Sequence, residues 1–256
     1  MNKKKNTTKK ILSRLITILC VSVFLYAAYG LADVFIDYYK NRKMLSEVQD
    51  MYYDVASAKE DDDDREPGEV RSGFDELLKH NDHVVGWITI DDTQIDYPIL
   101  QTDNNIDYLT KDYNDRVTRA GSIFLDFRND ITKNDKNTVI YGHRMKDGSM
   151  FQHLTKFLNE DFFKEHQTFE YDTLYDSYEA EIFSVYNTLT DFNYIETDFQ
   201  SEETYEQLLQ KMKEKSRFTT GVEVNPEDHI ITLSTCDYEL DENEGRLVVH
   251  AKLVKK

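Results

Sequence analysis

Cysteine is scarce in this chain of 256 residues, which contains two. Cys20 lies inside an apolar run near the N-terminus, so Cys236 has no second thiol in the rest of the chain with which to form a disulfide. This excludes a fold that is held together by disulfides. The histidines and cysteines also lack the clustered spacing of a zinc site, and we predict no bound metal.

Glycine is scarce too, with nine in the chain. None of them forms the glycine-rich pattern of a P-loop or of a dinucleotide-binding turn, in which the backbone must approach a phosphate closely. The sequence therefore gives no support for coenzyme chemistry, and we predict that the protein uses no cofactor.

Basic residues are outnumbered, with 31 Lys and Arg against 49 Asp and Glu, and the formal net charge is -18. The first 14 residues carry six of the cations and no acid, which leaves 25 basic and 49 acidic residues in the remainder, a net charge of -24. Nucleic-acid binding needs a basic footprint for the phosphates. We therefore exclude nucleic acid as a partner; a cationic or amine-bearing partner fits better.

An uncharged apolar run, LITILCVSVFLYAAYGLA, covers residues 15–32. Its 18 residues are enough to span a bilayer. Cations precede the run and two aspartates follow it, so we predict a single-pass protein of the cell membrane, with residues 1–14 as a basic cytoplasmic tail and the rest of the chain outside. The alternative is a cleaved signal peptide, for which Ala28, Gly30 and Ala32 offer only a weak cleavage site.

Residues 33–73 join the predicted anchor to the rest of the chain. Apolar residues recur at helical spacing from Val34 to Lys59, which predicts a juxtamembrane helix or stalk. Residues 60–68, EDDDDREPG, combine like charges with a Pro-Gly pair. This composition predicts a solvated linker.

Eight short strand-type segments with turn signals between them follow the predicted linker. They are VVGWITI (84–90), IDYPIL (95–100), SIFLDF (122–127), NTVIYGH (137–143), TFEYDT (168–173), YEAEIFSVYN (178–187), HIITLSTC (229–236) and RLVVHAKLV (246–254). Eight short strands at this density favour a β-barrel or a β-sandwich.

A helical pattern precedes the strands at residues 74–81, and two more interrupt them at about 150–166 and at 201–216. In the last of these, an apolar face is formed by Tyr205, Leu208, Leu209 and Met212. We therefore expect that helix to pack on the strand core.

Cys236 ends one strand-type segment, and alternation puts its side chain on the same face as Thr232 and Ser234. The next strand begins at Arg246, after a nine-residue loop that ends in Gly245, a residue that can adopt a positive φ. If the two strands pair antiparallel, Cys236 and Arg246 are neighbours.

His143 closes the segment NTVIYGH. A parallel placement of this strand beside the cysteine strand would bring His143 to the same end of the sheet; the sequence permits this pairing without requiring it. A thiol, an imidazole and a guanidinium would then meet at one rim.

These three groups have complementary chemistry. A thiolate is a strong nucleophile even as a minor species. An imidazole can protonate a leaving amine and later accept a proton from an incoming nucleophile. A guanidinium stays charged and can stabilise an oxyanion or hold a substrate carbonyl. Together they predict an acyl-transfer enzyme.

The sequence resembles the sortases, the membrane-anchored cysteine transpeptidases of Gram-positive bacteria. The resemblance is carried by TLSTC ending at Cys236, by Arg246 ten positions later and by NTVIYGH ending at His143. The stretches VVGWITIDDTQIDYPILQ, GSIFLDFRND and GHRMKDGSMF resemble class B members in particular. The similarity covers about residues 74–254.

The resemblance implies a mainly β fold, an eight-stranded sortase-type barrel with N-terminal helices and a helix between the last strands, as a catalytic domain over residues 74–256. It implies that Cys236 is the nucleophile, His143 the general acid and base, and Arg246 the stabiliser of an oxyanion or substrate carbonyl. Such an enzyme cleaves the C-terminal sorting signal of a surface protein after Thr, holds the protein as a thioester and transfers it to an amine of the peptidoglycan precursor.

The resemblance also implies a groove for the sorting peptide, with ordinary packing as the alternative reading of each position. The matching residues are Asn105, Leu109, Tyr141, Thr190, Tyr194, Ile195 and Ser234. Asp237 follows the nucleophile, and its carboxylate would bind substrate N–H groups or cap a loop. Two other functions stay open: a membrane-tethered cysteine protease that hydrolyses the thioester, and a non-catalytic surface-binding module.

Overall fold

The strand-type segments form eight β-strands in the computed structural model, which describes residues 2–58, 68–133 and 135–256. In chain order they are β1 Val84–Thr89, β2 Asp96–Leu100, β3 Ile123–Leu125, β4 Asn137–Tyr141, β5 Thr168–Thr173, β6 Ser177–Leu189, β7 Ile230–Cys236 and β8 Gly245–Lys255. All eight predicted strands are confirmed, with small differences at their ends.

The strands close into a barrel in the order β1, β2, β3, β4, β7, β8, β6 and β5. The pairs β2 with β3 and β4 with β7 are parallel, and the other pairs are antiparallel. Closure removes the unpaired edges that an open sheet would expose. The eight-stranded barrel is therefore confirmed, and the sandwich is not formed.

The described residues also form four α-helices. They are α1 Asn2–Ala58, α2 Asp75–His80, α3 Glu160–Glu165 and α4 Glu202–Lys215. In addition, 3-10 helices occur at Ser72–Phe74, Asp107–Leu109 and Phe151–Leu158. The helices predicted near residues 74–81, 150–166 and 201–216 are thus confirmed.

Helix α4 packs against β6, β7 and β8. Ser201 caps its first turn, because the Ser201 hydroxyl accepts a hydrogen bond from the backbone N–H of Thr204. The predicted apolar face is buried in one cluster with Phe183, Ile230 and Val248. The cluster thus includes the first residue of β7 and a residue of β8, the strands that carry Cys236 and Arg246.

Two compact units divide the chain, one of residues 1–41 and one of residues 42–256. The first unit holds the N-terminal part of α1, in which large apolar side chains such as Phe24 are exposed. In the described part of the chain, α1 is the one helix that is long and apolar enough to cross a membrane. The predicted acidic linker lies outside the described residues, apart from Gly68.

The C-terminal part of α1 belongs to the second unit and packs against the barrel wall. The Tyr52 ring stacks on Trp87 of β1 with ring centroids 4.2 Å apart, and its hydroxyl donates to Asp172 at 2.8 Å. Gln49 donates to the backbone carbonyl of Asp96 at 2.8 Å. The segment predicted as a juxtamembrane helix or stalk is therefore helical, and from residue 42 onward it contributes to the core of the barrel unit.

Candidate active site

Cys236 is the last residue of β7, and its backbone pairs with Arg246 near the start of β8. The antiparallel pairing of β7 and β8 places these two residues directly across from each other. The thiol is half-buried and free. The structure thus brings together the two residues that the sequence separates by a nine-residue loop.

The Arg246 guanidinium is held by its own loop. Its Nη1 donates to the carbonyl of Asn243 at 3.0 Å and to the carbonyl of Gly245 at 2.8 Å. Within the described residues, Nε and Nη2 make no hydrogen bond. One edge of the guanidinium is fixed by the protein, and the other is available to an oxygen of a bound molecule.

His143 reaches the same end of the barrel because β4 and β7 run parallel. Tyr141 pairs with Ser234, and the N–H of Gly142 donates to the Ser234 carbonyl at 3.3 Å. The His143 Nε2 lies 2.7 Å from the carbonyl oxygen of Leu109. A carbonyl only accepts, so Nε2 carries the proton of this contact. Nδ1 is then the ring nitrogen left to exchange a proton.

A cavity of about 280 Å³ lies at this end of the barrel. The candidate thiol, imidazole and guanidinium all line it. The complete lining is Asn105, Leu109, Phe124, Tyr141, Gly142, His143, Ser234, Thr235, Cys236 and Arg246. The arrangement can offer a nucleophile, a proton carrier and a cation to one bound carbonyl group.

Four of the eight expected groove residues line this cavity, namely Asn105, Leu109, Tyr141 and Ser234. The other four lie behind it or beside it. Tyr194 is buried, and its hydroxyl is 2.9 Å from the Ser234 hydroxyl. Thr190 is exposed and donates to Glu244 at 3.1 Å. Ile195 is half-buried, and its carbonyl accepts from Arg128 at 2.8 Å.

Asp237, the fourth of these, has both carboxylate oxygens occupied within the protein. Oδ1 accepts from Nη1 of Arg144 at 3.2 Å, and Oδ2 accepts from Asn187 at 2.7 Å. The Nη2 of Arg144 also donates to Glu239 at 2.9 Å. Since Arg144 directly follows His143, this ion pair ties the histidine segment to the cysteine segment.

The loop between β7 and β8 needs glycine at position 245 because neighbouring backbone atoms leave no room for a side chain there. Any Cβ at Gly245 would collide with the carbonyl oxygens of Asp237 and Asp241. Its φ is not in the left-handed region, so the loop does not use the freedom of glycine to adopt a positive φ. Tyr238 lies in the same loop, and burial, followed by the nearby Cys236 thiol, raises the pKa of its phenol.

A buried charged pair beneath the cavity was missed by sequence reasoning. Asp126 is fully buried, and the Nε and Nη2 of Arg128 donate to its two carboxylate oxygens at 2.8 Å each. Burial raises the pKa of Asp126, but the hydrogen bonds from Arg128 and Tyr141 outweigh burial and hold that pKa below its usual value. The only sequence signal was the stretch GSIFLDFRND.

In comparisons with known proteins, the similarity to sortases that the motifs indicate extends over nearly the whole chain. The family model described as Sortase domain matches residues 88–254. Sortase B of Listeria monocytogenes is 45% identical over 248 residues, which cover 97% of this chain and 99% of that protein. Sortase B from B. anthracis in complex with AAEK1 has a TM-score of 0.77 at 50% identity, covering 87% of this chain and 100% of that one. A Staphylococcus aureus sortase B–substrate complex has a TM-score of 0.79 at 37% identity, covering 86% and 99%.

Proposed function

Because this chain belongs to the sortase family and is a sortase B-type cysteine transpeptidase of the cell wall, we propose that it cleaves a sorting signal after Thr and transfers the surface protein to an amine of the peptidoglycan precursor. The observation that carries the proposal is the shared cavity of Cys236, His143 and Arg246. The thiol and the cation both face the space that a scissile carbonyl would occupy.

In the proposed first half-reaction, the Cys236 thiolate attacks the carbonyl carbon of Thr. The free edge of the Arg246 guanidinium stabilises the oxyanion that forms. The C–N bond then breaks, and His143 gives a proton from Nδ1 to the leaving amine. The product is a thioester between the surface protein and Cys236.

In the proposed second half-reaction, the amine of the peptidoglycan precursor attacks the thioester carbonyl. The attacking nitrogen loses a proton to Nδ1 of His143, and the C–S bond breaks to release the thiolate. The Leu109 carbonyl holds the imidazole through Nε2 in both steps. The ring can therefore exchange its proton without rotating.

A library of quenched fluorogenic peptides, each with Thr at the scissile bond, tests this proposal. The ectodomain is mixed with the library in the presence and absence of hydroxylamine. A transpeptidase gives the Thr hydroxamate as an amine-dependent product and a trapped acyl adduct on Cys236 in the mass spectrum. Cleavage that yields only the free acid would indicate a protease, and no cleavage of any member would contradict the proposal.

We also propose the domain order and orientation that the sequence predicts. Residues 1–14 form the cytoplasmic tail, 15–32 the membrane anchor, 33–73 the juxtamembrane segment and 74–256 the extracellular catalytic domain. The basic tail before the apolar run supports this orientation. Trypsin added to intact protoplasts should digest the catalytic domain while an N-terminal epitope tag stays protected; the reverse pattern would overturn the orientation.

A further inference from the structure

The buried Asp126 carboxylate is connected to more groups than its ion pair with Arg128 requires. It also accepts hydrogen bonds from the Tyr141 hydroxyl at 2.8 Å and from Nδ2 of Asn105 at 3.0 Å. The backbone N–H of Arg128 donates to it as well, at 2.9 Å. A buried carboxylate is costly unless its oxygens are fully paired, and this one is.

The donors come from segments that line the cavity of Cys236. Tyr141 is the last residue of β4, and Asn105 lies in the turn before the 3-10 helix at Asp107–Leu109. Both line the cavity. Their polar atoms point to Asp126, so one carboxylate fixes two parts of the cavity wall that are 36 residues apart in the chain.

The Asn105 amide is fixed at both ends. Its Nδ2 donates to Asp126, and its Oδ1 accepts from the backbone N–H of Phe127 at 2.9 Å. One partner only accepts and the other only donates, so a flipped amide would lose both hydrogen bonds. Burial raises the pKa of Tyr141, and the nearby Asp126 carboxylate raises it further, which keeps the phenol a donor.

Arg128 extends the connection to a third segment. Its Nη2 donates both to Asp126 and to the backbone carbonyl of Ile195, each at 2.8 Å. Ile195 belongs to the loop between β6 and α4, which carries three of the expected groove residues. Nε of Arg128 binds the other oxygen of Asp126 at the same time, and a lysine ammonium does not reproduce this planar, bidentate arrangement.

We propose that Asp126 is a positioning residue for recognition of the sorting peptide. Its carboxylate holds Asn105 and Tyr141, and through Arg128 the main chain at Ile195, in the arrangement that receives the peptide beside Cys236. This inference rests on the proposed function. A buried ion pair kept for stability alone needs no donors from the cavity wall, and replacing such a pair by apolar residues is often neutral or stabilising.

The substitution Asp126→Asn tests the proposal. The amide keeps the shape of the side chain, but its NH2 group would face N–H or O–H groups that also donate, so hydrogen bonds are lost. With a fluorogenic peptide cleaved by the wild type, and hydroxylamine at a fixed concentration, we expect KM to rise about tenfold and kcat to change less than about threefold. The rate of alkylation of Cys236 by iodoacetamide should stay that of the wild type, since none of the hydrogen bonds of Asp126 involves the thiol.

A double-mutant cycle with Tyr141→Phe separates positioning from general destabilisation. If Asp126 acts through Tyr141, the fold-increase in KM of the double variant should be well below the product of the fold-increases of the two single variants. Full multiplicativity would overturn the proposal, and so would an unchanged KM in Asp126→Asn. If the wild type cleaves no peptide at all, the proposed function fails instead, so the two failures are distinguishable.

Asp228→Asn is the matched control. Asp228 forms an ion pair with Lys252 in which the nitrogen and oxygen are 3.0 Å apart, and neither residue lines the cavity of Cys236. It should lower the melting temperature without raising KM; a KM increase equal to that of Asp126→Asn would overturn the proposal. If Asp126→Asn does not fold, Arg128→Lys replaces it. That variant keeps the charge beside Asp126 but loses the bidentate guanidinium that binds Asp126 and the Ile195 carbonyl together, and a wild-type KM in it would contradict the proposal.

Discussion

The two ends of the barrel hold cavities of different size and different chemistry. The cavity at the C-terminal ends of β4 and β7 measures about 280 Å³ and contains Cys236, His143 and Arg246. A second cavity, at the opposite ends of the same strands, measures about 520 Å³. It is lined in part by Tyr171 and Tyr178.

The larger cavity has its charges paired within the protein. Lys255 lies 2.6 Å from Asp176, and Lys133 lies 2.8 Å from Asp130. In the smaller cavity, by contrast, the guanidinium of Arg246 keeps one edge without a partner in the described residues. The candidate active site is therefore distinguished from the second cavity by a nucleophile with unpaired hydrogen-bond donors beside it, and not by its volume.

The largest expected effect is at the nucleophile. Cys236→Ala should abolish acylation, a loss of at least about 10⁴-fold in kcat/KM, because no other side chain of the cavity can form the thioester. His143→Ala should come close to the same loss. Peptide cleavage and the mass of the acyl adduct measure both.

The control for that prediction lies in the second cavity. Lys255→Ala removes the ion pair with Asp176 and should leave kcat/KM within about twofold of the wild type, since exposed ion pairs contribute little. A large loss of activity in Lys255→Ala would break the distinction between the two barrel ends.

Arg246→Lys should lower kcat by about 100-fold. Nη1 of Arg246 is already bound to two backbone carbonyls, so the other edge of the guanidinium must serve the oxyanion. A lysine ammonium bound to those carbonyls has no second edge to offer. Full activity in Arg246→Lys would show that charge alone is enough; Lys255→Arg is the matched change at the other barrel end and should be silent.

The contact between helix α1 and the barrel wall should contribute to stability and not to catalysis. A chain without residues 1–33 is expected to be soluble and active. In that chain, Tyr52→Ala removes the stacking on Trp87 and the hydrogen bond to Asp172, and should lower the free energy of unfolding by about 3 kcal/mol. Urea unfolding measures this, and a fall in acylation rate per folded molecule would link the helix to catalysis.

The smallest expected effect concerns acid stability. Burial lowers the pKa of His250 to about 3, below its usual value of 6.5. As the pH falls below about 6.5, the unfolded chain binds a proton there that the folded chain does not, so stability is lost from about pH 6.5 down to about pH 3. His250→Gln removes this titration, and the wild type should lose about 2 kcal/mol more than that variant between pH 7 and pH 5.

The local pattern predicted most of the fold. Alternation and turn signals identified all eight strands, and helical spacing identified the apolar face of α4 that is buried in the structure. These features depend on neighbouring residues alone, which is why a single sequence reveals them. The motif positions likewise predicted the thiol, the imidazole and the guanidinium that share the cavity.

The rest of the site depends on contacts between distant residues. Asp126 joins Asn105 to Tyr141, and Arg144 joins the histidine segment to Asp237. No periodicity marks such pairs, because their partners are set by the order of strands around the barrel.

By itself, the sequence determined the strands, the apolar N-terminal span and the residue types that can perform acyl transfer, since each follows from local composition and spacing. Only the tertiary structure decided that β4 runs parallel to β7, that helix α1 packs on the barrel from residue 42, and that a buried carboxylate supports the cavity wall. The physical reason is that closing a barrel fixes every strand against two neighbours at once. That choice is made by the whole core, and no single segment encodes it.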